Sequence, residues 1–102
     1  MELMLDRSML EAFRDYLQEE EKSRATVEKY VRDAGRFLDY AGEGSALGKE
    51  LVLAYKQRLA ESYTVSSANS MLAAVNSFLR FLDQPHCTVK AFRVQRKAYR
   101  AE

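Results

Sequence analysis

The chain has 102 residues with four Gly, one Pro, no Trp and a formal net charge of +1. That length holds a single hydrophobic core, and so few turn-forming residues exclude an all-β fold. No apolar run nears the roughly 18–20 residues of a membrane span, the opening MELMLDRSML lacks the pattern of a secretory signal, and the lone Cys87 excludes an internal disulfide, so a reducing, cytoplasmic setting is expected.

Apolar residues recur at spacings of three and four rather than two, which predicts helices throughout. The first is expected from Ser8, where Ser8 and Glu11 have capping-box spacing, with Met9, Leu10, Phe13, Tyr16 and Leu17 inward. It should fray at Glu19-Glu20-Glu21, which face the negative end of the helix dipole. Ser23 caps a second helix with Val27, Tyr30, Val31, Ala34, Phe37, Leu38 and Ala41 inside and Lys29, Arg32, Asp33 and Arg36 outside. Gly42 and Gly44 end it, since glycine accepts the left-handed turn.

Ser45 is a candidate cap for a third helix, with Leu47, Leu51, Ala54, Tyr55 and Leu59 inward and an end near Tyr63. A fourth should open at Ser66 or Ser67, bury Ala68, Met71, Leu72, Val75, Phe78, Leu79 and Leu82, and stop at Pro85. Thr88 to Val94 alternates weakly, as a strand or an extended linker does. A helical domain over 1–89 and a basic linker over 90–102 are therefore expected.

The small net charge hides a polarised chain. Residues 1–21 carry a net −5, residues 22–36 a net +3 and residues 90–102 a net +4. Such asymmetry lets a polyanion dock on one side, although solvated helix faces and a basic tail would look the same.

No catalytic constellation is visible. His86 and Cys87 are loop neighbours without an orienting third group, and a zinc site needs about four ligands. Gly35, Gly42, Gly44 and Gly48 have no nucleotide-binding spacing. Neither a metal nor a cofactor is expected, and the tyrosines read mostly as packing residues.

Two surfaces remain. On the fourth helix Asn69, Ser70, Ala73, Asn76, Ser77 and Arg80 form one small, amide-rich face opposite the apolar stripe. Amides and hydroxyls can bond base edges and phosphates, and small residues let a helix sit close in a major groove. The same face suits packing against another domain. At the start of the second helix Lys22, Ser23, Arg24 and Thr26 gather cations and hydroxyls at the positive dipole end, either a phosphate anchor or a solvated cap.

These residues fall in an order that resembles one family. Phe13, Tyr16-Leu17, Lys22-Ser23, Thr26, Tyr30, Asp33 and Phe37-Leu38 look like the first helical hairpin of tyrosine recombinases and phage integrases. Tyr55-Lys56, Leu59, Tyr63, Val65-Ser66, Asn69, Leu72, Ala74, Ser77-Phe78-Leu79 and Phe81-Leu82 are similar to its second half, and Val94-Gln95-Arg96-Lys97, Tyr99-Arg100 to the linker that follows. The resemblance implies an all-α, four-helix SAM-like orthogonal bundle forming half of a clamp on double-stranded DNA.

It further implies backbone contacts from Lys22, Ser23, Arg24, Thr26, Lys29, Arg32 and Arg36, and a groove-facing set of Asn69, Ser70, Ala73, Asn76, Ser77 and Arg80. The family's nucleophilic tyrosine, arginines, lysine and histidines belong to a separate catalytic domain, and one histidine cannot supply that set; Tyr99 matches the linker. The expected role is thus a non-catalytic DNA-binding module, monomeric alone and joined by other recombinase protomers on DNA. The rival expectation is a helical module that binds a protein partner through the fourth helix.

Overall fold

The computed structural model describes residues 2–93. Four helices follow in chain order, α1 (Ser8–Glu19), α2 (Arg24–Ala41), α3 (Lys49–Ser62) and α4 (Val65–Phe81), before a short 3-10 turn at Pro85–Cys87. The chain is an all-α bundle, as its periodicity predicts. Among the described residues the β-structure is one isolated bridge between Met4 and Ala46.

The bundle is organised around α4, the most apolar of the helices. Ala68, Met71, Leu72, Ala74, Val75, Phe78 and Leu79 are all buried, and α4 packs against α1, α2, α3 and the final turn. Against it, Phe13 of α1 meets Phe78 edge-on at 5.1 Å, and Phe37 of α2 meets Tyr55 of α3 at the same separation. Phe13, Phe37 and Phe78 are fully buried, each stabilising the fold by roughly 1.5–3 kcal/mol. The amino-terminal segment closes the other side. Leu5 exchanges backbone hydrogen bonds with Ser45 and Gly44, Leu47 N–H donates to the Leu3 carbonyl, and the Leu5 side chain is 1% exposed.

Several helix ends differ from expectation, each for a local reason. Ser8 does not cap α1. The cap position falls at Arg7, whose side chain makes no cap bond, and the Asp6 carboxylate just before it accepts the Ser8 N–H at 2.7 Å; bonding to Ser8 holds the Asp6 carboxyl below its ordinary value. Ser45 turns back to the Ala41 carbonyl, so α3 starts only after Gly48. Thr64, not Ser66 or Ser67, caps α4 by accepting the Ser67 N–H at 3.2 Å. Ser23 caps α2 as expected, accepting from the Thr26 N–H at 3.1 Å.

Pro85 is not what stops α4. The helix already ends at Phe81, and Asp83 and Gln84 donate back to the Arg80 and Leu79 carbonyls with Asp83 at φ 63°. α1 ends in the same closure, Glu21 and Lys22 donating to Gln18 and Leu17 with Glu21 at φ 62°. Both are Schellman caps built without glycine. At the end of α2, Gly42 (φ 90°) and Gly44 (φ 82°) take the left-handed turns expected of them.

Some inward assignments also shift. Val52 is fully buried while Ala54 is exposed, and Tyr16 is 38% exposed although its ring lies 5.0 Å from that of Phe81. Of the described tyrosines only Tyr55 is buried; Tyr40 and Tyr63 are exposed and Tyr30 is half-buried. Asp33, expected on the outer face of α2, is 2% exposed. The expected linker residues from Val94 onward lie outside the described residues. No helix among the described residues is long and apolar enough to cross a membrane.

Candidate functional site

The two polar surfaces picked out from the sequence fall on the same side of the bundle, because α2 and α4 pack directly against each other. Between them opens a cleft of about 420 Å³. Lys22, Thr26 and Tyr30 line it from the α2 side, and Asn69, Leu72, Ala73, Asn76, Ser77 and Arg80 line it from α4. Ala91, from the segment after the last turn, completes the rim.

The amino end of α2 is electropositive by construction. Its first turn carries no acidic residue, and the first helical N–H groups lack partners within the helix. Ser23 Oγ accepts the Thr26 N–H and lies 3.0 Å from the Thr26 hydroxyl, so both hydroxyls are fixed at the helix end. Arg24 is almost fully exposed, with Nε 3.4 Å from Glu28. That pair is worth little in water, so Arg24 can turn to another anion at small cost. None of the ion pairs among the described residues involves Lys22 or Arg80.

Lys29 stands apart from this group. Its ammonium lies 2.5 Å from the Asp33 carboxylate and also donates to the Ser70 carbonyl at 3.3 Å, tying α2 to α4. Arg32 and Arg36 are half-exposed, each 3.9 Å from the other Asp33 oxygen. One buried carboxylate thus anchors the cationic stripe of α2, with Lys29 held inward and the two arginines at the surface.

On α4, Ala73 and Arg80 are exposed and Ser77 is half-buried at the cleft. The Ser70 side chain is exposed while its carbonyl receives Lys29. Asn69 and Asn76 are engaged within the chain. Asn76 donates to the Val89 carbonyl at 2.8 Å and accepts the Val89 N–H at 3.0 Å. Asn69 does the same to Phe92, at 3.1 and 2.7 Å. The segment from residue 90, expected as the start of an extended basic linker, lies along α4 up to Phe92.

Sequence reasoning passed over Tyr30, read as core, and Leu72 and Ala91, which supply the cleft's apolar floor and rim. It also missed Arg14 and Gln18, which share a second hollow of about 470 Å³ with Lys22 and Arg24 where the end of α1 meets the start of α2. Arg14 breaks an otherwise acidic stretch, and that was the available signal.

A family model described as phage integrase, N-terminal SAM-like domain, matches residues 10–85. No curated protein and no solved structure matches the chain. The matched span contains all of α2, α3 and α4, and with them every cleft residue except Ala91.

Proposed function

Since the chain belongs to the phage integrase N-terminal SAM-like domain family, with a role in DNA integration and site-specific recombination, we propose that it seats duplex DNA in the cleft between α2 and α4. The observation that carries this reading is the shared cleft itself, in which Lys22 and Thr26 face Ala73, Ser77 and Arg80.

The chemistry follows from the parts. A phosphate at the amino end of α2 meets the helix dipole, free backbone N–H groups, the Ser23 and Thr26 hydroxyls and the Lys22 and Arg24 cations. Arg32 and Arg36 continue the cationic stripe along α2, and Arg80 stands on the α4 side. Ala73 and Ser77 are small, so a groove edge can approach α4 closely. Phosphate contacts fix register and orientation, and sequence preference comes from the few side chains of α4 that reach base edges.

In this reading the module contributes binding and positioning, strand-exchange chemistry belongs to another part of the recombinase, and other protomers join on the same DNA site. The test is a fluorescence titration of a labelled duplex across a range of salt. Five cations, Lys22, Arg24, Arg32, Arg36 and Arg80, give an expected log–log salt slope of about −4 to −5. A chain with no affinity for duplex at low salt contradicts the proposal.

A further inference from the structure

We infer that Asn69 and Asn76 form a two-point clamp on the backbone of residues 89–92, and that its Phe92 end is a latch that opens without unfolding the bundle. The inference goes beyond the DNA reading, because the clamp rests on intramolecular geometry alone.

Each asparagine uses its amide as a neighbouring strand would use its backbone, one donor and one acceptor on a single residue. The registers agree. Asn69 and Asn76 are seven positions apart on a helix, an advance of about 10.5 Å. Val89 and Phe92 are three positions apart on extended chain, about 10 Å. The segment runs against the direction of α4, pairing Val89 with Asn76 and Phe92 with Asn69. Ala73 lies between the clamps on the same face and has no bulk to hold the segment off.

The two ends are held unequally. Val89 is 6% exposed and part of the core, the preceding Cys87 is buried, and the Thr88 carbonyl accepts Lys49 Nζ at 2.7 Å. Releasing that end uncovers the core. Phe92 is only half-buried, its ring 4.8 Å from Lys56 Nζ, and Lys90 and Ala91 before it are exposed. Besides the Asn69 pair it has the Lys56 contact and a partial packing of its ring against the core, less burial than Val89 has. Opening this end frees the Asn69 amide and withdraws Ala91 from the cleft rim, and it changes the direction in which the chain leaves the bundle after residue 92. Occupancy of the α4 face and exit direction are therefore coupled.

The experiment is residue-resolved amide hydrogen exchange on the whole chain. In the wild type the Phe92 amide should exchange at least about tenfold faster than that of Val89, as a local rather than global opening. Asn69→Ala should bring Phe92 close to the unprotected rate while Val89 and the core stay within about twofold. Asn69→Asp keeps the acceptor and loses the donor, so intermediate protection at Phe92 is expected. A single common rate for Phe92 and Val89, or unaltered Phe92 protection in either variant, overturns the latch.

A short duplex added at low salt should deprotect Phe92 on binding, and protection that stays or rises in the bound state overturns the coupling. A duplex that fails to bind counts against the DNA reading, and the two variants still decide the latch.

Discussion

The ammonium of Lys29 rests on the carboxylate of Asp33, one turn away on α2, and Asp33 is 2% exposed. The pair is asymmetric, because the Lys29 side chain keeps about a third of its surface in water. Removing the cation strands a buried carboxylate, whereas neutralising the carboxylate leaves a lysine that can swing outward. Lys29→Met should therefore cost about 2–3 kcal/mol, below the roughly 3–5 of a fully buried pair because Arg32 and Arg36 remain nearby. Asp33→Asn should cost less, about 1–2 kcal/mol, its amide still bonding in place of the carboxylate. Urea denaturation of the two variants gives the order, and the reverse order contradicts the account.

The same pairing bears on the cleft. An ammonium already bonded to Asp33 and the Ser70 carbonyl has little left for phosphate. Lys22→Met should weaken duplex binding more than Lys29→Met when both are compared as folded proteins in one titration. Equal losses would mean that Lys29 leaves Asp33 to meet the DNA.

Glu21 closes α1 in the left-handed region at φ 62°. A non-glycine residue there costs about 1–2 kcal/mol, part of which glycine gives back through the unfolded chain. Glu21→Gly should then stabilise by about 0.5–1 kcal/mol and raise Tm by about 2–8 °C. Asp83→Gly should gain less, since a short polar side chain tolerates that conformation better. A thermal melt in which Glu21→Gly lowers Tm rules out strain at this cap.

Tyr55 gives the fold an alkaline limit. Burial first, then the charges of Asp33 and Tyr63, push its phenol from 10.0 up to about 12, with Arg36 opposing. Because the folded value lies above the unfolded one, the stabilisation is complete below pH about 10 and is lost as pH rises toward about 12. Denaturant midpoints across that window should fall in the wild type and fall less in Tyr55→Phe. Parallel slopes would show that Tyr55 ionises as freely in the fold as outside it.

What the sequence made legible was whatever repeats with helical period. The stripe of α4 is inside residue for residue, apart from a half-buried Leu82, and the Ser23 cap stands where a serine before an apolar period belongs. α3 was harder, because Leu51, Val52, Leu53, Ala54 and Tyr55 are apolar in succession and leave the phase open. Asp33 was misplaced because a charge reads as surface until its partners are known.

Two features had no local signal at all. The pairing of Leu3 and Leu5 with residues 44–47 joins segments far apart in sequence. An asparagine facing outward from α4 looks the same whether its partner is a base edge or the chain's own backbone. Only the fold shows Asn69 and Asn76 bonded to Phe92 and Val89.

The central claim is that the amino end of α2 and the open face of α4 act as one surface for a duplex. Amide chemical-shift mapping at low salt, as a short duplex is added, tests it most directly. The account expects one contiguous footprint over Lys22, Ser23, Arg24 and Thr26 together with Ala73, Ser77 and Arg80, fading as salt is raised. A footprint confined to the outer faces of α1 or α3, or none at saturating duplex, would contradict it.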